Sequence, residues 1–283
     1  MKHIEGSVKG VKDHKLFYQA WIPEGEIRGS VQIVHGIAEH GGRYLNIVNT
    51  LVPQGFACFA DDHYGHGKSN GPRKYVDSFQ DYIKDEKAFY NEINEKHPEL
   101  KKKPRFILGH SMGSFIAFHY VVNNESDFDG LILSGFGVEI KSKVPKIFVP
   151  FLKLIGKLAP KASFDSGLTA DFISHDPEVI ESYLNDPLVC DVTNITGRLA
   201  SELLSWSLKV RKLAKQVKIP ILIQVGEQDS SMVGFDEFKS VFENKDLTIH
   251  IYDGLFHEVY NELEKDRKKV LDDLSRWINQ HSQ

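Results

Sequence analysis

The 283-residue chain carries 35 Lys and Arg residues against 39 Asp and Glu residues, a formal net charge of −4, and 41% of its residues are hydrophobic. This composition is typical of a globular protein, and it argues against a nucleic-acid partner bound through bulk positive charge. No run of about 18 uninterrupted apolar residues predicts a membrane-spanning helix. Cys58 and Cys190 are far apart and the first residues show no apolar leader pattern, so we expect a cytoplasmic protein without a disulfide framework.

Short runs rich in β-branched and aromatic residues recur along the chain, separated by stretches with apolar residues at helical spacing. The predicted strands are Lys15–Ile22, Ser30–His35, Phe56–Ala60, Arg105–Leu108, Gly130–Ser134, Pro220–Val225 and Leu247–Tyr252. The predicted helices are Tyr44–Leu51, Phe79–Ile93, Met112–Val122 and a last helix with Val270, Leu271, Leu274, Trp277 and Ile278 on one face. This alternation predicts an α/β protein with a mostly parallel sheet covered by helices on both faces. An antiparallel first strand at Ile4–Val8 makes the sheet eight-stranded.

The alternation fails between residues 138 and 215, where we find no convincing strand pattern and apolar residues follow helical spacing. We therefore predict a core formed by residues 1–137 and 216–283, with residues 138–215 inserted as a helical cap. Within the cap, the segment Lys146–Lys161 is amphipathic and has lysines to one side of its apolar face. Three interpretations stay open: a solvated helix packed on its own domain, a lid over an apolar pocket, or a membrane contact.

The stretch Gly109-His110-Ser111-Met112-Gly113 matches G-x-S-x-G and lies directly between a predicted strand and a predicted helix. This is the context that a nucleophile elbow requires. The glycines matter because so sharp a turn brings neighbouring backbone too close for a Cβ atom. We therefore predict that Ser111 presents its hydroxyl at the carboxyl edge of the sheet as a nucleophile.

A serine nucleophile needs a histidine base, and the histidine needs a carboxylate that holds it in the correct tautomer. In the α/β-hydrolase order of serine, acid and histidine, the base follows the last strand, which leaves His257 and the C-terminal His281. We predict His257. The acid is predicted to be Asp229, in the loop after the preceding strand, with Glu227 and Asp253 as rivals.

Acyl transfer also needs backbone N–H groups directed at the developing oxyanion. One is predicted to be the amide of Met112, the residue after the nucleophile, and the other the amide of Ile37, in the loop after the strand that ends at His35. A metal held by His63 and His66 is an alternative role for the stretch after Phe56–Ala60. It is disfavoured because further ligands do not follow at the usual spacing, so we expect neither a metal nor a cofactor.

With these residues assigned, the sequence resembles the monoacylglycerol lipase and lysophospholipase group of α/β-hydrolases over nearly its whole length. The motifs that carry the resemblance are His35-Gly36-Ile37-Ala38-Glu39-His40-Gly41-Gly42-Arg43-Tyr44, Asp62-His63-Tyr64-Gly65-His66-Gly67-Lys68-Ser69, Gly109-His110-Ser111-Met112-Gly113, Asn185-Asp186-Pro187-Leu188-Val189, Gly226-Glu227-Gln228-Asp229 and Tyr252-Asp253-Gly254-Leu255-Phe256-His257-Glu258. The first of these motifs separates this group from most other α/β-hydrolases.

The resemblance implies an α/β-hydrolase fold whose cap roofs an apolar acyl tunnel and can lie against membrane lipid. It matches Ser111, Asp229 and His257 to the family triad and the amides of Ile37 and Met112 to the oxyanion hole. By the same resemblance, Glu39, Arg43 and Tyr183 lie at the polar end that binds glycerol. The sequence departs from the family pattern at Ser114, at Tyr260 and in the residues that follow Asp229.

The predicted function is hydrolysis of monoacylglycerols, or other single-chain lipid esters, to fatty acid and alcohol through an acyl-enzyme. Two enzymatic alternatives keep the triad and change the substrate: a lysophospholipase and a short-chain carboxylesterase. An aminopeptidase of the same fold would need an acidic patch for the substrate amine. The alternative from another class is an inactive lipid-binding protein on a hydrolase fold.

Overall fold

The computed structural model describes residues 1–141 and 145–282. Its strands are β1 (Lys2–Lys9), β2 (Lys15–Ile22), β3 (Gly29–Val34), β4 (Phe56–Asp61), β5 (Arg105–His110), β6 (Gly130–Ser134), β7 (Glu139–Ile140), β8 (Ser163–Asp165), β9 (Asn194–Thr196), β10 (Ile221–Gly226), β11 (Met232–Val233) and β12 (Leu247–Tyr252). Its α-helices are α1 (Leu45–Leu51), α2 (Phe79–Lys96), α3 (Met112–Asn124), α4 (Val149–Leu158), α5 (Pro177–Asn185), α6 (Gly197–Ser207), α7 (Val210–Leu213), α8 (Phe238–Phe242) and α9 (Glu264–Gln280).

Eight of the strands form one sheet in the order β1-β2-β4-β3-β5-β6-β10-β12. The pairs β1/β2 and β2/β4 are antiparallel, and every later pair in this sheet is parallel. The predicted mostly parallel sheet of eight strands with an antiparallel start is therefore confirmed. Because parallel strands end at one edge, the loops after β3, β5, β10 and β12 meet at the carboxyl edge of the sheet.

The sheet is covered on both faces, which explains why its central strands are continuous apolar runs. On one face, the core includes residues of α2 and α3 such as Phe79, Tyr82 and Phe115. On the other face, it includes residues of α1 and α9 such as Ile47 and Trp277. The sheet is thus held rigidly between two apolar layers, and its loop edge is a fixed platform for side chains.

The expectation of no strand between residues 138 and 215 was wrong. Strand β7 pairs with β11, and β8 pairs with β9, each in a two-stranded antiparallel sheet. These strands are two or three residues long, so they are too short to produce a recognisable alternation in the sequence. Helices α4, α5 and α6 supply most of the remaining regular structure of this segment, which we continue to call the cap.

Polar contacts fasten the cap to the loops of the sheet. Lys74, which has φ of 52°, donates from Nζ to the backbone oxygen of Asn194 at 2.7 Å. Its own carbonyl accepts a bond from the Thr196 hydroxyl at 2.6 Å. The Cys190 amide donates to the carbonyl of Ala38 at 2.7 Å. The cap is therefore joined directly to the loop after β3, in which the oxyanion donor is predicted.

The helix predicted at Lys146–Lys161 begins as a single 3₁₀ turn and continues as α4. Its outer face carries large apolar side chains that are exposed to solvent: Ile147, Phe148, Phe151, Leu154 and Leu158. Lys153 and Lys157 are exposed beside them, whereas the Lys146 side chain lies outside the described part. Among the described residues, no helix combines the length and the apolar composition needed to cross a membrane.

Candidate active site

Ser111 occupies the turn between β5 and α3 with φ of 53° and ψ of −120°, a strained conformation for a residue with a side chain. The two glycines of the motif make this turn possible. A Cβ at Gly109 would lie 2.3 Å from the carbonyl oxygen of Gly113, and a Cβ at Gly113 would lie 2.0 Å from the carbonyl oxygen of Val34. The backbone thus has the sharp strand-turn-helix geometry expected of a nucleophile elbow.

The loop after β3 runs beside this turn. A Cβ at Gly36 would lie 3.2 Å from Cβ of Ser111, so Ile37 follows directly on the residue that approaches the serine. Met112 opens helix α3, where the first amides have no carbonyl partner within the helix. The structure therefore places Ile37 and Met112, the two predicted oxyanion residues, at the same carboxyl edge of the sheet as Ser111.

Asp229 and His257 are in direct contact. Oδ2 of Asp229 lies 2.6 Å from Nδ1 of His257, and both residues are buried. The other carboxylate oxygen accepts bonds from the amide and the hydroxyl of Ser231 at 2.9 and 2.7 Å. Because an ionised carboxylate only accepts, the imidazole Nδ1 is the donor in this pair. The arrangement holds His257 in one tautomer, with Nε2 left to accept a proton.

The electrostatics of the pair follow from burial and from these bonds. Burial alone would raise the pKa of Asp229, but the neighbouring His257 and the bonds from Ser231 outweigh it and lower that pKa to about 2. Burial likewise opposes a charge on His257, yet Asp229, Glu258 and Glu39 together raise the pKa of its imidazole. The site is thus built to carry a positive charge on His257 when the histidine receives a proton.

The ring of His257 lies beside the residue that precedes Ser111 and beside an aromatic residue of the cap. Its centroid is 4.8 Å from that of His110, the residue before the serine, and 5.0 Å from that of Phe172 in the cap. Burial and the nearby His257 lower the pKa of His110 to about 4, so His110 is neutral at physiological pH. The His257 amide donates to the Phe172 carbonyl at 3.3 Å, which ties this loop to the cap.

The two rival acids lie elsewhere. Glu227 and Asp253 are both exposed, and Glu227 accepts a bond from the amide of Gly254. Neither therefore has the burial of Asp229, which is 6% exposed and bonded to the predicted base. The predicted placement of an acid in the loop after the strand at 220–225 agrees with the position of this contact.

Glu39, Arg43 and Tyr183 come together, and Glu258 joins them. Arg43 Nη1 lies 2.7 Å from a Glu39 oxygen and 2.7 Å from a Glu258 oxygen, and Nη2 lies 2.8 Å from the second Glu258 oxygen. The guanidinium also lies over the ring of Tyr183, 4.6 Å from its centroid. A cavity of about 270 Å³, counted with the space open to solvent, is lined by these two glutamates, Arg43, His110 and Tyr260 among others.

Sequence reasoning missed two residues of this region, Ser231 and Glu258. Ser231 donates from its amide to the side chain two residues before it, an Asx turn that an Asp-Ser-Ser sequence favours, so this signal was available. Glu258 pairs with a residue 215 positions away in the chain. No local pattern predicts such a contact.

A further buried polar cluster lies between β4 and α2. One atom each of Asp61, His63 and Glu86 lie within 4.8 Å of one another, and all three residues are buried. His66, the other residue of the metal alternative, is not a member of this group; its ring centroid is 6.2 Å from that of His63.

Comparison with known proteins agrees with this geometry. Residues 25–264 match the family model for serine aminopeptidase, S33. A monoacylglycerol lipase of Mycolicibacterium smegmatis is 33% identical over 279 residues, which is 98% of this chain and 97% of that protein. The human monoglyceride lipase is 27% identical over 94% of this chain and 88% of its own length.

Solved structures share the whole architecture. The crystal structure of the Paleococcus ferrophilus monoacylglycerol lipase superposes with a TM-score of 0.82 at 28% identity, covering 94% of this chain and 99% of that one. The predicted α/β-hydrolase fold is thereby confirmed. Since the family model spans most of the sequence and the mycobacterial relative matches nearly all of it, the chain belongs to the serine aminopeptidase S33 family of hydrolases.

Proposed function

We propose that this protein is a serine hydrolase that cleaves monoacylglycerols to fatty acid and glycerol through an acyl-enzyme. The observation that carries the proposal is the 2.6 Å contact between Asp229 and His257, beside a strained serine in a strand-turn-helix elbow. The relatives named as monoacylglycerol lipases support the substrate class. In this proposal Ser111, Asp229 and His257 are the catalytic triad.

The chemistry follows from the geometry. His257, held by Asp229 through Nδ1, takes the Ser111 proton at Nε2 as the hydroxyl oxygen attacks the ester carbonyl. The amides of Met112 and Ile37 donate to the oxyanion of the tetrahedral intermediate. The intermediate collapses as His257 returns the proton to the departing glycerol oxygen, which leaves an acyl-serine. Water, deprotonated by His257, then releases the fatty acid by the same steps.

The cap provides an apolar environment for an acyl chain close to the oxyanion loop. Ile173, Tyr183 and Val192 of the cap form one apolar cluster with Ala38, and Ile37 packs against it. A single-chain lipid lying between the cap and the loop after β3 would bring its ester carbonyl to the Ile37 amide. Glu39, Arg43 and Tyr183 are proposed to form the polar end of this site, which receives the glycerol.

An aminopeptidase activity is less well supported by the same site. Recognition of a substrate amine needs carboxylates free to accept from an ammonium group. Glu39 and Glu258 lie near His257, but both are already paired with the guanidinium of Arg43. Both carboxylates are thus already bound to a cation, whereas an uncharged glycerol ester can be bound without a free negative charge.

The exposed apolar face of α4 supports a second element of the proposal, a peripheral contact with membrane lipid through the cap. Phe151, Leu154 and Leu158 are between 49% and 76% exposed, and Lys153 and Lys157 lie on the same short helix. Apolar side chains beside lysines favour a helix that lies in the interface of an anionic membrane. Substrates dissolved in the bilayer would then meet the cap directly.

The test is the initial rate of hydrolysis of monoacylglycerols of increasing chain length, beside matched lysophosphatidylcholines and short water-soluble esters, with Ser111→Ala as the blank. Preference for long monoacylglycerols is the expected result. Faster turnover of the lysophospholipids or of the shortest esters would keep the triad and change the substrate to one of these alternatives. An unchanged rate in Ser111→Ala would overturn the assignment of the nucleophile.

A further inference from the structure

Arg43 connects the loop after β3 to the loop after β12. Its guanidinium binds Glu258 through two parallel bonds of 2.7 and 2.8 Å and binds Glu39 through a third of 2.7 Å. The three side chains are 11%, 6% and 4% exposed. A planar guanidinium held by two buried carboxylates has little freedom, so the two loops are fixed relative to each other.

On the Glu39 side, the connection ends at the proposed oxyanion donor. The second Glu39 oxygen accepts from the Gly36 amide at 2.6 Å and from the Tyr44 hydroxyl at 2.8 Å. Gly36 directly precedes Ile37, and a Cβ at Gly36 would lie 2.6 Å from this oxygen. The position of the Ile37 amide therefore depends on where Glu39 is held.

On the Glu258 side, the connection ends at the proposed base, which is the preceding residue. The amide of Glu258 donates to the Ile173 carbonyl at 2.8 Å, and Asn261 donates to its carboxylate at 2.8 Å. Burial alone would raise the pKa of Glu258, but Arg43 lowers it to about 2, so the carboxylate is ionised at all physiological pH values. The base loop thus carries a permanent anion bound to Arg43.

We infer that Glu258 is a positioning residue, which through Arg43 and Glu39 aligns the oxyanion loop with His257 and whose charge favours the imidazolium. This inference rests on the proposed roles of Ile37 and His257 and assigns Glu258 a part in the same reaction. It differs from a role in binding glycerol, because a positioning residue acts on kcat whereas a residue that only binds the substrate acts on KM. Loss of Glu258 should then lower kcat and leave KM nearly unchanged.

The charges around His257 come from several elements. Asp229 follows β10, His110 ends β5 and Glu39 follows β3. Glu258 lies on the same loop as His257 itself. Among these groups, Glu258 and Glu39 are the carboxylates that Arg43 also binds. Replacing Glu258 with the neutral Gln removes one negative charge near His257 and leaves Arg43 paired with Glu39 alone. The remaining charges favour a protonated His257 less, so the pKa of its imidazole should fall.

The experiment compares Glu258→Gln, Arg43→Lys and Asp127→Asn with the wild type. Asp127 accepts bonds from Lys87 and Tyr120. It lies just beyond the carboxyl end of α3, and because that helix spans roughly 20 Å, it is far from Ser111. Asp127→Asn therefore removes a charged hydrogen-bonding group, as Glu258→Gln does, but at a position away from the active site. Thermal melting of each variant measures its stability.

Each variant is assayed for kcat, KM and the pH profile of kcat/KM on a short water-soluble ester, and for its rate of labelling by a fluorophosphonate. Glu258→Gln should lower kcat and the labelling rate by 10-fold or more, up to the order of 10²-fold known for small misplacements of reacting groups. KM should stay within about threefold. The acidic limb of the profile should move to lower pH by roughly half a unit to one unit.

Arg43→Lys separates alignment from charge, because lysine keeps the cation but cannot bind two carboxylates in a fork. Arg43→Lys should lower kcat as much as Glu258→Gln does, but it should move the acidic limb of the kcat/KM profile less. If Glu258→Gln loses stability as Asp127→Asn does while kcat and the limb stay as in the wild type, Glu258 is structural alone and the inference is overturned. A rise in KM with kcat unchanged would overturn it in favour of substrate binding.

Failure of the proposed function is recognised separately. A wild-type enzyme that reacts with fluorophosphonate but does not hydrolyse monoacylglycerols contradicts the substrate and leaves the comparison of labelling rates intact. If the wild type does not react at all, the pKa of His257 is followed by NMR of its imidazole protons in the wild type and in Glu258→Gln. A lower imidazole pKa in the variant supports the coupling, and an equal one overturns it.

Discussion

Nε2 of His40 lies 2.9 Å from Oδ2 of Asp186, so that a residue of the loop after β3 is bonded to a residue of the cap 146 positions later in the chain. The His40 Nδ1 accepts a bond from the Gly42 amide at 3.1 Å, and Nε2 is therefore the nitrogen that donates to the carboxylate. Both residues belong to motifs that were singled out separately in the sequence. The bond therefore joins the two motifs directly, although they are far apart in the sequence.

Asp186→Asn should loosen the cap over the oxyanion loop. The side chain of Asp186 is 26% exposed, so we expect a modest loss of stability, about 1 kcal/mol, and a melting temperature lower by roughly 2 to 4 °C. KM for a long monoacylglycerol should rise several-fold while KM for a short ester changes little. Asp165→Asn is the control, since that carboxylate accepts a bond from Gly167 within the cap. Equal changes for both substrates would mean that the bond does not shape the acyl site.

The raised pKa of His257 predicts the pH dependence of the reaction. The base must be neutral to accept the Ser111 proton, so kcat/KM should fall as the pH drops through the imidazole pKa. Because Asp229 and the nearby glutamates outweigh burial and raise that pKa, the midpoint should lie above the ordinary histidine value of 6.5. Rates on a short ester between pH 5 and 9 measure it. A midpoint below 6.5 would mean that burial is the stronger effect.

Asp229→Asn and Ser231→Ala should differ in size. An amide at position 229 no longer enforces the correct histidine tautomer, and kcat should fall by about 10⁴-fold. Ser231→Ala removes the hydroxyl bond to Asp229 but keeps the amide bond, so the loss should be on the order of tenfold. Single-turnover acylation rates separate these effects from substrate binding. If Glu227→Gln or Asp253→Asn were as damaging as Asp229→Asn, the acid would be assigned wrongly.

Much of this site could be predicted because its residues follow strands. Ser111, Asp229 and His257 each lie in a loop at the carboxyl edge of a parallel sheet, where strand order alone brings distant residues together. The positions of β5 and β10 are readable as buried apolar runs, and that of β12 as a run rich in β-branched and aromatic residues. Glycines 109 and 113 added a second, independent signal, since only a close backbone approach requires them.

The rest depends on contacts without a local pattern. Glu258 meets Arg43 only because two loops from opposite ends of the chain converge, and a glutamate in such a loop has no distinguishing neighbours in the sequence. The two-residue strand β7 is fixed by pairing with β11 rather than by its own composition. Tertiary packing decided these features, as it commonly does for short strands and buried ion pairs.

The cluster of Asp61, His63 and Glu86 predicts an unusual pH dependence of stability. The His63 Nε2 donates to the His35 carbonyl at 3.1 Å, and its Nδ1 faces Asp61 and Glu86 at 3.5 and 3.3 Å. With the ring hydrogen on Nε2, neither His63 Nδ1 nor the two carboxylates carry a hydrogen atom. One of the three groups must therefore bind a proton before a hydrogen bond can form among them. Burial and the neighbouring Asp61 raise the pKa of Glu86 well above its usual range, and Glu86 is the group that holds it.

A proton bound more tightly in the folded state stabilises the fold at low pH, and this stabilisation is lost as the pH rises above the ordinary glutamate pKa of 4.5. Glu86→Gln needs no proton and can keep the bond from Gln32, which is 2.6 Å in the wild type. The difference in the free energy of unfolding between the variant and the wild type should therefore shift in favour of the variant from pH 5 to pH 8, by about 1 kcal/mol or more. Chemical denaturation at both pH values measures the difference. A loss of stability at both would indicate that a bound cation, rather than a proton, holds the two carboxylates together.

The exposed face of α4 predicts how the protein meets its substrate. Phe151→Ser combined with Leu158→Ser removes two side chains that are 59% and 76% exposed, so folding should be little affected. If these side chains enter the lipid interface, their loss should weaken vesicle binding by tenfold or more, since burying such a side chain contributes about 1.5 to 3 kcal/mol. Co-sedimentation with phosphatidylcholine vesicles containing phosphatidylglycerol measures binding.

Leu45→Ser is the matched control, because Leu45 is 47% exposed on α1 of the sheet domain and not on the cap. Lys153→Glu with Lys157→Glu tests the electrostatic part, which should weaken binding to the anionic vesicles and leave binding to pure phosphatidylcholine unchanged. Hydrolysis of a short soluble ester should be the same in all four proteins, wild type included. Equal sedimentation of the wild type, the cap variants and Leu45→Ser would show that α4 does not bind lipid, and its apolar face would then need another partner.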